Sequence, residues 1–430
     1  MIKKIILTIL KPENPIDLDI YTQLPREKYN LQDRLKVFLL AIMSLDKNFF
    51  YFFLVIMRHL LIRILLFIFF PFVILFSFLK FKFVVINYWQ VGTSLRHLTN
   101  LNKYITLKKD NYKYLVYFPK AYPQSNIIKK AFNKNLIFIE NSFLCILLYL
   151  FFHSEILRFK IVMFDEHYQK SLSYYLNYLF KKKKYKLEFF NKQDKLKFKK
   201  KIKQKYNLKL TDKVVTINVR NKNYYKTSTS LRDAEITNYE KSVNYLVRKN
   251  YKVFHFGNSD NEKLKNLINK KNYFFLNVKN KNFNRNLQFY LISISKFFIC
   301  TNSGPYVFGC ELNVPILLTN LHPYHGLFSY NQRDISIPKL VKFKNKPVKF
   351  KKILGSSLCY RVPKNKKFKV IENTPNEILN GVLEIEKKIY KKNLEISFFN
   401  SKILDEYHPN RYGVGSISKN FIKNHKRYFK

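Results

Sequence analysis

Arg220 and Arg232 are the residues best placed for charge chemistry. Val214–Val219 reads as a short buried strand, apolar and β-branched, and Arg220 leaves its end. A tyrosine-bearing loop follows (Asn223-Tyr224-Tyr225), then Leu231-Arg232-Asp233 ahead of a helix. In an open α/β sheet, ligands bind outside the carboxyl ends of the strands. A guanidinium there offers a planar fork that makes two charge-assisted hydrogen bonds to one phosphate. A surface arginine on a solvated loop would show the same spacing, so spacing alone does not choose.

Thr301-Asn302-Ser303-Gly304 is the second such stretch. It joins a strand (Lys296–Cys300) to a helix (Tyr306–Leu312), where exposed N–H groups and the helix dipole favour an anion. A plain helix N-cap is the competing reading. Gly257-Asn258 closes a strand at Tyr251–Phe256, and Thr319-Asn320 closes one at Val314–Leu318. Arg220, Gly257, Asn258, Asn302, Ser303, Gly304 and Asn320 therefore all sit at carboxyl ends of strands that alternate with helices. That alternation implies a parallel sheet with right-handed crossovers. The loops would then converge on one sheet edge, an arrangement suited to a nucleotide diphosphate.

The elements that must position these residues fill residues 201–390. Helices are expected at Ile236–Lys249, Asn261–Lys270 and Leu287–Ile294, with a strand at Phe274–Leu276. Thr374-Pro375-Asn376-Glu377 is a helix start, with Thr374 as N-cap and Glu377 at N3, leading into Ile378–Tyr390. Residues 391–430 form a basic tail, with Ser416–Phe429 expected to be partly exposed. Residues 83–200 read as a second α/β domain. Its strands are Phe83–Asn87, Tyr114–Phe118, Leu136–Ile139 and Ile161–Phe164. Gly92-Thr93-Ser94 is expected as the turn between the first strand and a helix at Leu95–Leu101, where a glycine allows close approach. His97 is the one early histidine in a cleft position, although a lone histidine is more often structural. Lysine runs at Lys181–Lys184 and Lys195–Lys203 bracket the domain boundary.

Residues 1–82 are different in kind. Leu60–Leu79 spans twenty residues with one charge, Arg63, and a proline, Pro71. That is long enough to cross a bilayer, and Pro71 also permits two shorter helices lying at the interface. A buried core helix is the competing reading, disfavoured because the run has no polar face. Arg58, Lys80 and Lys82 flank both ends, so the positive-inside rule sets no orientation.

The formal net charge is +51, from 79 Lys+Arg against 28 Asp+Glu. Taken alone, that predicts an anionic partner. But Lys, Asn, Ile, Phe and Tyr are inflated together and the lysines are spread along the chain, as an AT-rich coding sequence would produce. No nucleic-acid motif is present, so nucleic acid is excluded as the expected partner and an anionic membrane face is kept. The four cysteines (Cys145, Cys300, Cys310, Cys359) show no CxxC or zinc spacing and read as reduced, buried thiols.

On these residues the chain resembles the glycosyltransferases found in bacterial surface-carbohydrate clusters. The resemblance runs through Asn218-Val219-Arg220, Tyr224-Tyr225, Arg232…Tyr239, His255-Phe256-Gly257, Asn302-Ser303-Gly304 and Pro315…Asn320. It continues through Asp334-Ile335-Ser336-Ile337-Pro338-Lys339 and Glu372-Asn373-Thr374…Glu377-Ile378. It covers roughly residues 60–425. It implies a GT-B-like α/β enzyme of two Rossmann-like domains with an apolar, membrane-associated N-terminal segment. The donor would be held by the C-terminal domain, without bound metal or cofactor, the nucleotide-sugar being a substrate. Arg220 and Arg232 would be catalytic. Tyr225, Gly257, Asn258, Asn302, Ser303, Gly304, Asn320 and Lys339 would bind the donor, and Gly92, Thr93 and His97 would lie on the acceptor side. The implied partners are a glycan or lipid-linked acceptor and the cytoplasmic face of the bacterial inner membrane, held peripherally or by a single pass. His255 stands where the pattern has arginine, and Thr93 where it has histidine. Two rivals are a non-enzymatic basic module docking on anionic lipid or RNA, and a GT-B-like transferase of a non-sugar group.

Overall fold

The computed structural model describes residues 49–86, 91–108, 111–118, 125–132, 135–148, 150–154, 156–157, 176, 187–209, 211–221, 231–258, 264–267, 271–278, 282–324, 327, 331–354, 356–359, 362, 366–391 and 413–429. The expected strand at 161–164, the expected linker lysines at 181–184 and Tyr225 lie outside these. The chain forms two compact units. One takes Met1–Gln90, His97–Tyr122 and Phe132–Gln169, the other Val91–Arg96, Pro123–Ala131 and Lys170–Lys430.

The first unit opens with helices α1 (Phe49–Ile68) and α2 (Phe70–Phe78), then strand β1 (Phe81–Val85). Helix α3 (Val91–Lys108) begins in the second unit and runs on into the first. Strand β2 (Lys113–Tyr117) follows; helix α4 (Ser125–Lys130) belongs to the second unit, and β3 (Leu136–Ile139) and α5 (Ser142–Leu147) return to the first. The three strands are parallel in the order β1-β2-β3. Their core is aromatic: Phe76 of α2 meets Phe83 and Phe151 edge-on. Edge-to-face rings pair the positive rim of one with the negative face of the other. Cys145 is buried there, its thiol donating to the Ile139 carbonyl at 3.3 Å.

The twenty-residue apolar run expected at 60–79 is not one helix. It breaks at Phe69, where Pro71 falls in the first turn of α2; proline lacks the N–H that would continue α1. Leu60–Ile68 and Phe70–Phe78 are bent by 70°, and no single helix among the described residues is long and apolar enough to cross a membrane.

The long segment of the second unit opens with α6 (Lys192–Tyr206), capped by Asn191. The boundary expected between 200 and 201 thus falls inside a helix. In chain order come β4 (Lys213–Asn218), a 3₁₀ turn at Ile236–Tyr239, α7 (Glu240–Arg248), β5 (Tyr251–Gly257) and β6 (Tyr273–Asn277). Next are α8 (Asn282–Ser293), β7 (Phe297–Cys300), α9 (Gly304–Glu311), β8 (Ile316–Leu321) and β9 (Ile335–Pro338). A small antiparallel sheet of β10 (Leu340–Phe343), β11 (Lys346–Pro347) and β12 (Phe368–Ile371) interrupts, with α10 (Phe350–Leu354) between its strands. The unit closes with α11 (Pro375–Ile389), β13 (Ser416–Ile417), α12 (Lys419–Asn424) and α13 (Lys426–Phe429).

The main sheet has seven parallel strands in the order β13-β9-β8-β7-β4-β5-β6. Strands β7 and β8 are buried at every residue, as a sheet covered on both faces requires. Starting from β6, the first six strands run third, second, first, fourth, fifth, sixth in chain order, which is the doubly wound dinucleotide-binding topology. Its order reverses between β4 and β7. The tail is not a loose basic end: β13 pairs with β9, Phe421 and Tyr428 are buried, and Phe429 stacks on Phe350. The capping box of α11 forms as the sequence predicts.

Candidate functional site

The reversal between β4 and β7 leaves a gap at the carboxyl edge that no crossover covers, because one crossover leads away on each side. The backbone ties both exits together. Thr301 N–H donates to the Asn218 carbonyl at 3.2 Å, and Arg220 N–H donates to Thr301 Oγ1 at 2.9 Å. Asn218 Oδ1 accepts from Ser303 Oγ at 3.0 Å. Ser303 is the N-cap of α9, yet its hydroxyl makes no cap bond to the helix. In the first turn of α9, Pro305 has no N–H and the Tyr306 N–H donates to the Ser303 carbonyl at 3.2 Å, which leaves the Gly304 N–H as the donor at the switch point.

Arg220 is buried, and its Nε donates to Asp233 Oδ1 at 2.8 Å. Lys339, also buried, donates from Nζ to the Asp233 carbonyl at 2.6 Å. Asp233 thus fixes two cations, one through its carboxylate and one through its backbone. Glu372 lies 3.7 Å from Lys339 and accepts from the Glu235 N–H at 3.0 Å. Asp233 is buried against Arg220, whereas Glu235 is exposed.

Several of the expected residues fall on one rim. Along the carboxyl edge come Gly257-Asn258 after β5, Arg220 after β4, Asn302-Ser303-Gly304 after β7, His322 after β8 and Lys339 after β9. At about 4.8 Å per strand, the rim from β5 to β9 spans roughly 19 Å. Arg232, half-buried, enters from the segment after β4.

Other expectations change. Gly92 is in the first turn of α3, not in a strand-to-helix turn. A Cβ there would lie 2.9 Å from Gly304 Cα, so Gly92 packs against the turn that opens α9. Thr93 and His97 are buried in α3. Asn320 lies within β8, at a positive φ of 49° beside a break in register, and is wholly buried. Asparagine tolerates that left-handed conformation better than most residues. Its amide is committed inside: Oδ1 accepts from Asn373 N–H at 2.7 Å, and Nδ2 donates to Tyr239 Oη at 3.2 Å. Asn373 returns the bond, accepting from Asn320 N–H at 2.5 Å and donating to the Pro338 carbonyl at 3.1 Å. These two residues latch the rim from below.

His255, where the family pattern has arginine, is buried within β5, its Nδ1 paired with Tyr273 Oη at 2.8 Å. Burial pushes its pKa down to about 3, so it brings no charge to the site. His322 was not singled out from sequence. It lies one residue past β8 beside Pro323, and a histidine at a parallel strand's end was the available signal. Burial, then the charges of Lys339 and Arg232, push its pKa down to about 3. Among the described residues, no group of three or more His, Cys, Asp or Glu could hold a metal ion.

No protein-family model matches the chain, and no curated protein matches it. Among solved structures, it is similar to a glycosyl transferase family 9 protein from Veillonella parvula: 11% identity over 72% of this chain and 97% of that one, TM-score 0.44. It is also similar to E. coli ADP-heptose LPS heptosyltransferase II, at 10% identity over 72% and 98%, TM-score 0.44. An E. coli heptosyltransferase solved with ADP gives 9% identity over 72% and 99%, TM-score 0.40. Scores this low carry no inference; the function rests on the site's own residues.

Proposed function

We propose that the protein is a glycosyltransferase that moves a sugar from a nucleotide-sugar to a surface-glycan or lipid-linked acceptor. One observation carries the reading. At the reversal point of a dinucleotide-binding sheet, Arg220 is locked by Asp233 and Thr301 beside the N-terminus of α9. When the bond from the sugar to the diphosphate breaks, negative charge builds on the leaving oxygen. Arg220, Arg232 and Lys339, with the Gly304 N–H at the start of α9, stabilise that charge; Arg220 and Lys339 are fixed beforehand and need no reorganisation. Asn302, Ser303 and Gly304 hold the phosphates, with Gly257 and Asn258 at the neighbouring strand end. No metal is needed in this scheme, because protein cations balance the diphosphate.

The test is donor hydrolysis and transfer by the purified full chain, wild type against Arg232→Gln and Arg220→Ala. Arg232 is only half-buried, so its variant separates lost chemistry from lost fold. Equal rates in all three proteins overturn the reading. Salt-steep binding to RNA or lipid without any response to nucleotides would instead favour a docking module.

The finer reading is that the protein works on the inner-membrane face, seated by α1 and α2. Phe67 and Phe78 are each 83% exposed, and Leu60, Leu61, Ile64, Phe72, Ile74 and Leu75 are exposed with them. An apolar surface this continuous marks an interaction site. The sequence has no acidic residue between Asp46 and Asp110, while Arg63 and Lys80 are exposed beside the patch, as an anionic lipid surface requires. Wild type should float with phosphatidylglycerol vesicles and Phe67→Asp/Phe78→Asp should not; equal flotation refutes the seat.

A further inference from the structure

His322 is 5% exposed, and neither of its ring nitrogens has a hydrogen-bond partner among the described residues. Buried polar atoms are nearly always paired, so two orphans on one ring call for a cause. His255 differs, for its Nδ1 is satisfied by Tyr273 and it lies mid-strand in the core. His322 sits on the rim. Its carbonyl accepts from Asn302 Nδ2 at 3.4 Å, and the residue before it, Leu321, accepts from Lys339 N–H at 3.1 Å. Tyr324 meets the ring edge-on at 5.4 Å and fixes its plane. The ring is thus joined through its own strand to both the α9 turn and Lys339, the two anion-holding parts of the site.

We propose that His322 is a further donor-binding residue, whose imidazole receives a hydroxyl of the nucleotide-sugar next to the diphosphate. The inference rests on the glycosyltransferase reading above. The chemistry decides the partner. A neutral imidazole has one N–H donor and one lone-pair acceptor. A phosphate only accepts, so it could pair only with the ring N–H; a hydroxyl both donates and accepts, so it can pair with whichever ring nitrogen faces the donor. Burial, helped by the charges of Lys339 and Arg232, keeps the imidazole neutral, and those two cations themselves take the phosphate charge. Both nitrogens are closed off from water, so donor binding has to uncover the ring. The hydroxyl belongs either to the ribose or to the transferred sugar.

Calorimetric titration of the full chain separates these sources. UDP, GDP, ADP and CDP are titrated first; for the base that binds, its 2′-deoxy and 3′-deoxy diphosphates and a panel of its nucleotide-sugars follow. His322→Phe keeps the ring and removes its hydrogen bonds. If the ribose is the source, this variant binds the nucleoside diphosphate about tenfold more weakly. One deoxy analogue is then equally weak on wild type and is not weakened further by the variant. If the sugar is the source, the diphosphate binds both proteins alike and only the nucleotide-sugar loses about tenfold. A folded His322→Phe that binds diphosphate and nucleotide-sugar as wild type does overturns the inference while leaving the glycosyltransferase reading intact. Should that variant not fold, His322→Leu, which also removes both hydrogen-bonding atoms, supplies the same comparison. Failure of wild type to bind any nucleotide overturns both.

Discussion

Truncating Asn373 to alanine tests whether the rim is held by the latch beneath it. The Asn373 side chain accepts from the buried Asn320 N–H and donates to the Pro338 carbonyl. Asn373→Ala removes both partners and leaves two backbone groups unpaired where water does not reach. Each such group costs about 1–3 kcal/mol, so the loss is roughly 2–6 kcal/mol. Against a typical total of about 5–15 kcal/mol, that is a large share. The bond from Asn373 N–H to Asn320 Oδ1 is main-chain on one side and survives, which keeps the estimate from doubling. The assay is urea denaturation followed by far-UV circular dichroism. Asn376→Ala serves as control: Asn376 bonds only the exposed Lys241 Nζ, and its loss should stay within about 0.5 kcal/mol. A loss below about 1 kcal/mol for Asn373→Ala refutes the latch. Asn320 would then be available to the donor, and the effect would appear in nucleotide binding instead.

Gly92→Ala places a Cβ against Gly304 backbone atoms at 2.9 and 3.2 Å. Overpacking of about 1–3 kcal/mol outweighs the helix gain of roughly 1 kcal/mol; a lowered melting temperature and weaker diphosphate binding are expected, and an unchanged or higher Tm refutes it. Thr374→Ala breaks the capping box of α11, and denaturation should show a loss of about 1 kcal/mol. Lys388, packed against the Asp334 carbonyl and Ser416 Oγ, has its pKa lowered from 10.5 to about 8, chiefly by burial. Between those values the unfolded chain binds more protons, so this group makes stability rise with pH. Lys388→Met should flatten that rise in denaturation curves taken from pH 8 to 10; an unaltered slope refutes the assignment.

What could be read from sequence was local. The start of α11 is written in Thr374, Pro375 and Glu377, three residues whose roles depend only on one another. Strand β3 falls where its β-branched run lies, at Leu136–Ile139. The rim was legible because each loop announces its own strand end. Strand order was not, since pairing β4 with β7 rather than with β6 is decided by packing across more than seventy residues. The Asn320–Asn373 latch was illegible for the same reason; only an asparagine where the chain turns left-handed hinted at it. Arg220 could be placed at a strand end, but its anchor, Asp233, read equally well as a helix-start acid. The tail read as basic and partly exposed, which holds for its lysines; that Ile417, Phe421 and Tyr428 supply a buried side depends on pairing with β9 and was not legible.

The four thiols give each unit its own clock. Cys145 lies in the first unit, and Cys300, Cys310 and Cys359 in the second. All are buried, and burial pushes Cys145 up to about 11 and Cys300 and Cys310 well above their usual value. Alkylating reagents attack the thiolate, so each sulfur is modified only when its surroundings come apart. Mass uptake at one cysteine versus three would time the breathing of the two bodies separately, in the native protein and without an added label.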